Sequence, residues 1–345
     1  PSATRAAVEA FVGAQSTRGV VGTWGYESRL AQWRESVGAF IGAGGDEIAF
    51  LPNTSAAANA IASGIDWQPG DEVILPDDEF GSNALPWLAL RSRGVRVTLL
   101  PHRQTRMTPG ALGAAITPRT RAVAVSWVAF HDGYRHDLAA LAEVTHAAGA
   151  FFCVDVIQGL GAFPLDVRRL GIDVAYGGGQ KWLLALQGSA FLYVKREVLD
   201  RIAVTAPGWR SLEDIWDFLE YEQPYGPGAA RFEAGTPNFA GALSLTTSVD
   251  VLREAGAAPI AQHVLRLTDH LVEGLNRAGM RVLSQRGDGC SSGIVTFTHP
   301  SVAPVSLGKR VQAAGFVVTA RPQGVRVAPH AYNTVAEIDA FLEAL

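Results

Sequence analysis

Phe151-Phe152-Cys153-Val154-Asp155-Val156-Ile157-Gln158 is a run of β-forming apolar residues that ends on a carboxylate and, three residues later, an amide. A run of this length with no polar alternation predicts a strand buried on both faces. The residues on either side extend the pattern. Leu138 to Ala148, stopped by Gly149, predicts a helix, and Ala122 to Val128 before it a strand. Further upstream come a strand at Val95–Leu100, helices at Leu85–Arg93 and Pro109–Ile116, and a strand at Glu72–Leu75. An Ala-rich helix is expected from Thr54 to Ser63, with a strand at Glu47–Leu51. Downstream, Val174–Tyr176 and Ala190–Val194 complete the series. Alternation of this kind predicts an α/β fold, a mostly parallel sheet with helices on both faces, whose ligands sit at the carboxyl ends of the strands.

The texture changes after Arg201. Residues 203–238 are rich in Pro, Gly and aromatic residues, which reads as a functional excursion and not a flexible linker. Helices are expected at Ala240–Glu254 and Ile260–Ala278. Short strands at Arg281–Leu283, Gly293–Thr298, Phe316–Thr319 and Gly324–Val327 follow, mixed with helices. Residues 1–239 are therefore read as an N-terminal segment with the large domain, and residues 240–345 as a smaller α+β domain.

Composition narrows the function. The chain has 345 residues, 48% hydrophobic and 18% charged, with a net charge of -4, so neither nucleic acid nor a membrane surface is an expected partner. No apolar run spans a bilayer and no signal-peptide pattern opens the chain, so a cytoplasmic location is expected. Two cysteines, Cys153 and Cys290, cannot make a disulfide framework, and the histidines show no metal-ligand spacing, so no metal is expected.

Only three lysines occur, Lys181, Lys195 and Lys309. Lys195 and Lys309 each stand beside an arginine and read as solvated. Lys181 lies 26 residues after Asp155, in Gly177-Gly178-Gly179-Gln180-Lys181-Trp182. A buried strand-end carboxylate needs a cationic partner, although Asp155 alone would read as a helix cap. Pyridoxal phosphate uses both groups: a lysine to bind it covalently and a carboxylate beside its pyridine nitrogen. Asn53-Thr54-Ser55, at the start of a helix, offers hydroxyls and N–H groups to a phosphate.

Six motifs in order resemble the class V aminotransferase family of fold-type I pyridoxal-phosphate enzymes, which includes aminotransferases, cysteine desulfurases and isopenicillin epimerase-like proteins. They are Pro52–Ser55, Val125–Val128 with Gly133, Asp155–Gln158, Gly179–Trp182, Phe232–Asn238 and Arg326–Thr334. The resemblance covers about Ala49 to Leu345. It implies a three-layer α/β/α large domain of the pyridoxal-phosphate-transferase type, with Lys181 as the Schiff-base lysine and Asp155 paired with the pyridine nitrogen. It also implies Gln158 on the phenolic oxygen, Thr54 and Ser55 on the phosphate, and Trp127 stacked on the ring, where core packing is the alternative. Thr236 would reach the phosphate of a neighbouring subunit, giving a homodimer, and Arg326 would clamp the substrate carboxylate, with Arg210, Arg231 and Arg321 as rivals for that role. Gln180 replaces a histidine common before the lysine and can still donate to phosphate; Ala328 replaces a common serine. The strand and Asn-rich segment with which the family usually begins are not expected in a chain starting at Pro1.

Tyr332-Asn333-Thr334 reads as structural, because Thr334 and Glu337 form a capping box. His131 reads as incidental. The expected activity is transamination of an amino acid, with a lyase or epimerase of the same family as runner-up and a binder without turnover as the alternative from another class. Cysteine desulfurases of the family carry a persulfide cysteine on a loop just before the clamping arginine. Residues 318–326 contain no cysteine, so persulfide chemistry is not expected.

Overall fold

The computed structural model describes residues 1–101, 106–287 and 289–345. It contains a large and a small sheet. The large one has seven strands: β1 (Ile48–Leu51), β2 (Glu72–Pro76), β3 (Arg96–Leu100), β4 (Thr120–Ser126), β5 (Phe151–Asp155), β6 (Val174–Gly178) and β7 (Ala190–Val194). Their order is β1-β7-β6-β5-β4-β2-β3. Only β7 runs against the others, pairing antiparallel with both β6 and β1. Parallel neighbours need crossovers, and the chain supplies them as helices α3 (Thr54–Gly64), α4 (Gly81–Ala89), α5 (Pro109–Ala115) and α6 (Leu138–Ala147).

Side-chain alternation sorts the sheet into two cores. Ala122, Ala124, Phe151 and Cys153 face one side with Trp67 and Trp87; Val123, Val125, Phe152 and Val154 face the other with Leu141, Phe163 and Leu245. Helix starts follow cap chemistry. Asn53, Thr108 and Asp137 each accept a backbone N–H from the first turn of α3, α5 and α6.

The small sheet is antiparallel, ordered β10-β11-β9-β8, from β8 (Arg281–Val282), β9 (Val295–Thr298), β10 (Thr319–Arg321) and β11 (Gly324–Val327). Its helices are α8 (Ala257–Arg277), α9 (Pro304–Ala313) and α10 (Val335–Glu343). The strand expected at Phe316 begins instead at Thr319. Gly315 at φ 93° and the Phe316 N–H bond to the Val311 carbonyl still belong to the end of α9. Thr334 and Glu337 form the expected capping box of α10. Helix α4 starts at Gly81, earlier than the expected Leu85, with Pro86 tolerated inside it.

Two N-terminal helices, α1 (Ser2–Arg18) and α2 (Leu30–Phe40), had no counterpart in the sequence reading. Both join α7 (Phe239–Ala255). Thr4 shares a 2.8 Å hydrogen bond with Ser248, and Ser36 donates to Asp250 at 2.6 Å. Among the described residues no helix is long and apolar enough to cross a membrane.

Candidate functional site

The chain leaves the carboxyl edge of the large sheet at Asn53–Ser55 after β1, Asp77–Phe80 after β2, Trp127–Phe130 after β4, Val156–Gln158 after β5 and Gly179–Lys181 after β6. Register brings the functional side chains to this edge, since Ser126 pairs with Asp155 and Asp155 with Tyr176 across three adjacent parallel strands.

Asp155 is 1% exposed. Its carboxylate accepts the Ile157 N–H at 2.8 Å, which fixes its direction. Burial raises its pKa to about 7; the Ile157 bond opposes the rise, Glu79 adds to it, and Lys181 pulls it down. Burial lowers the Lys181 pKa, Asp155 partly restores it, and Arg326 lowers it further. The Lys181 ammonium lies 5.5 Å from the centre of the Phe80 ring. A lysine with a depressed pKa thus sits between a buried carboxylate and a guanidinium.

Arg326 comes from β11, in the small sheet, and reaches across to the large one. Its Nη1 donates to the Phe130 carbonyl and its Nη2 to Thr319 Oγ1 at 3.4 Å. The next two carbonyls are held the same way: Thr296 Oγ1 donates to His131 at 2.6 Å and Ser284 Oγ to Asp132 at 2.5 Å. Three successive carbonyls of residues 130–132 are therefore bonded by side chains from the small-sheet side. Between the two parts lies a cavity of about 370 Å³, lined by Phe130, Asp132, Thr296, Arg321 and Arg326 among others. Neither cysteine lines it. Cys153 is fully buried in β5, where burial raises its thiol pKa well above the usual value. Cys290 is partly exposed.

Two helix starts meet at the other end of the site. Asn53 caps α3, and Ser55 Oγ, in its first turn, donates to Ser82 Oγ of α4 at 2.9 Å. Thr54 is buried beside it. First-turn N–H groups of a helix have no intrahelical acceptor and favour an anion. Gln158 is buried and accepts from Trp182 Nε1 at 3.4 Å. Trp127 is buried against Gly159, where an added Cβ would lie 2.4 Å from its ring, and it meets Phe163 edge-on at 6.2 Å. Gln180 is exposed. Thr236 lines a different cavity of about 550 Å³ with Phe50, Ser189, Thr205 and Asn238, one that includes none of Lys181, Asp155, Thr54 or Ser55.

Glu79, Phe80 and Ser82 were not anticipated. Glu79 accepts the Ser126 N–H and hydroxyl, both at 2.6 Å, and burial raises its pKa. Asp77-Asp78-Glu79 directly follows an apolar strand, the same signal that marked Asp155. His131 bonds Asp78 at 2.6 Å.

This donor set fits pyridoxal phosphate. The buried Asp155 carboxylate, its pKa raised to about 7 by burial, is matched by a pyridinium nitrogen. Lys181 is poorly protonated for a lysine, and the starts of α3 and α4 offer hydroxyls and N–H groups to a phosphate.

Comparison with known proteins agrees. Residues 6–341 match the family described as aminotransferase class-V. A probable cysteine desulfurase of Methanothermobacter thermautotrophicus is 35% identical over 70% of this chain and 60% of its own length. The chain thus spans less than two thirds of that curated relative. Isopenicillin N epimerase of Streptomyces clavuligerus is 30% identical over 92% of this chain and 83% of its own length. The apo structure of a cysteine desulfurase from Thermococcus onnurineus superposes with a TM-score of 0.90 at 25% identity, over 99% of this chain and 90% of that one. These likenesses overturn the expectation of an aminotransferase with no desulfurase chemistry, because relatives named cysteine desulfurases dominate. The physical reason is that a lysine, a ring-nitrogen carboxylate and a carboxylate clamp serve every reaction at an amino-acid α-carbon. Finding them does not select transamination.

Proposed function

The chain belongs to the class V aminotransferase family and is a pyridoxal-phosphate enzyme, and from that premise we propose that it removes sulfur from cysteine or a cysteine-derived amino acid, leaving alanine. The observation that carries the sulfur part is the 35% identity to a probable cysteine desulfurase. The amino-acid part rests on Lys181 being an electrostatic neighbour of Arg326, which lines the cavity.

When bound, pyridoxal phosphate supplies an electron sink at the substrate α-carbon. The chain's own groups do the rest. Arg326, oriented by the Phe130 carbonyl and Thr319, binds the α-carboxylate through a planar fork. Lys181 Nζ, its pKa lowered by burial, takes and returns protons. Asp155, aimed by the Ile157 N–H, would pair with the pyridine nitrogen. Thr54, Ser55 and the first turn of α3 would hold the phosphate, with Gln180 as a further donor, and Gln158 would meet the phenolic oxygen. Trp127 would pack at the ring, beside Phe80 and Phe130, which meet edge-on at 5.3 Å. Thr236 reaches the phosphate of a second copy, so the working form is a homodimer. The sulfur passes to a thiol acceptor.

The test is product analysis of the holoenzyme with L-cysteine and excess dithiothreitol. Alanine and sulfide should appear in equal amounts. Pyruvate with ammonia, or the appearance of a keto acid with no sulfide, would overturn the reading. Cys290→Ala locates the acceptor: retained alanine release places it outside this chain.

A further inference from the structure

The cavity below Arg326 carries more positive charge than an α-carboxylate needs. Among the described residues that line it are three guanidinium groups, Arg106, Arg321 and Arg326, and one carboxylate, Asp132. Arg106 is bonded to Asp132 at 2.7 Å, so those two charges compensate each other. Among the described residues, neither Arg321 nor Arg326 has a carboxylate within ion-pair distance. Burial lowers the Arg326 pKa, and Arg321 lowers it further: the two cations feel each other across the cavity.

Strand geometry explains why both point there. In the β10–β11 hairpin Thr319 pairs with Arg326 and Arg321 with Gly324. Residues 319, 321, 324 and 326 therefore share one face, and that face lines the cavity. Arg321 and Arg326 are diagonal neighbours, with backbones about 7–8 Å apart. Gly324, opposite Arg321, has no room for a side chain: an added Cβ would lie 2.7 Å from Thr296 Cγ2. Arg321 itself lies with its guanidinium carbon 5.4 Å from the centre of the Phe130 ring, whose carbonyl holds Arg326. Like charges placed on one face oppose folding unless a ligand makes use of them.

We propose that the substrate carries a second anionic group at the end of its side chain, and that Arg321 receives it. The assignment rests on the reading of Arg326 as the α-carboxylate clamp. One carboxylate on Arg326 leaves one cation uncompensated at the cavity mouth, and a second anion neutralises it. Arg321 is then a specificity-determining residue, acting on binding.

The experiment compares two ligands of equal size that differ in charge, S-carboxymethyl-L-cysteine and S-carbamoylmethyl-L-cysteine, by calorimetric titration of the holoenzyme. L-glutamate and L-glutamine form a second, sulfur-free pair. In each pair the anion should bind at least about tenfold more tightly than the amide. Arg321→Gln should reduce that ratio to about twofold or less, and Arg321→Lys should restore part of it, since lysine keeps the charge but not the fork. Equal binding of anion and amide, no binding of either anion, or a ratio unchanged in Arg321→Gln overturns the assignment. The sulfur reading is checked separately on the two thioethers with excess dithiothreitol, by formation of alanine as the sulfur passes to the added thiol. A charge preference without sulfur release removes that reading and leaves Arg321 in place. Sulfur release from both thioethers at equal affinity does the opposite.

Discussion

Asp155→Asn isolates the charge at the centre of the site. In the protein without cofactor, burial raises the Asp155 pKa from 3.8 to about 7. A displacement of about three pH units corresponds to about 4 kcal/mol between the protonated and ionised forms. The folded state binds this proton more tightly than the unfolded chain. The resulting stability is therefore fully present below about pH 4 and is lost as pH rises through about 7. The Asp155→Asn variant has no proton to lose, and its amide oxygen still accepts the Ile157 N–H that holds the carboxylate at 2.8 Å. It also removes the attraction that partly restores Lys181, so the full value is an upper bound. The apo variant should be more stable than apo wild type at pH 8 by about 2–4 kcal/mol. The difference should grow by about 2 kcal/mol between pH 5 and pH 8. Urea unfolding followed by far-ultraviolet circular dichroism at several pH values measures it. Saturating pyridoxal phosphate should reverse the ranking, because a protonated pyridine nitrogen compensates the carboxylate and does nothing for the amide. A variant-minus-wild-type difference that stays flat from pH 5 to pH 8 would refute the reasoning, as would a less stable apo variant.

Three further outcomes are expected. Borohydride reduction of the holoenzyme followed by peptide mapping should place the pyridoxyl group on Lys181; label on Lys195 or Lys309 would remove Lys181 from its role. Glu233 accepts Arg34 at 3.0 and 2.9 Å and the Phe50 N–H at 2.8 Å while 3% exposed. Glu233→Ala leaves a half-buried cation and a buried N–H without their partner and should cost about 3–5 kcal/mol in urea unfolding; a loss below about 1 kcal/mol would count against it. Light scattering of the active holoenzyme should give twice the chain mass of 36.6 kDa, and full activity at the single-chain mass would exclude a site shared through Thr236.

Much of the large sheet was legible because its strands are buried on both faces. Phe151–Asp155 and Ala190–Val194 are continuous apolar runs that no surface helix would carry. Asp155 and Lys181 were legible because a carboxylate at a strand end and a rare lysine stand out against that background. The helices α1 and α2 were missed: α1 buries only Thr4 and Phe11, the helical spacing of Leu30, Trp33, Val37 and Ile41 along α2 and its C-cap went unread, and their partners, Ser248 and Asp250 on α7, lie more than 200 positions away. Glu79, Phe80 and Ser82 follow a strand whose exit carried no motif of its own. Arg321 was noted as a rival to Arg326, yet only the hairpin register shows that both occupy one face. The reaction was not legible, because the residues that stand out serve every reaction at the α-carbon alike.

The two halves of the site are built differently, and this bears on where reaction choice resides. Asp155, Gln158 and Lys181 are placed by the register of a parallel sheet, where a shift of one residue would turn buried side chains to the wrong face. Arg321, Arg326 and Thr296 come from a second sheet, joined to residues 130–132 by three side-chain bonds to successive carbonyls. The backbone of residues 130–132 therefore fixes the height of the clamp above the cofactor edge, whatever side chains those residues carry. Substitutions at positions 130–132, 296 or 319–326 can reshape the cavity while the cofactor partners stay in register. A family that shares its cofactor residues and differs in its reactions has this freedom available where the second sheet meets the first. In this chain Phe130 and Arg321 stand there beside the Arg326 clamp, where the substrate's side chain and its charge would be met.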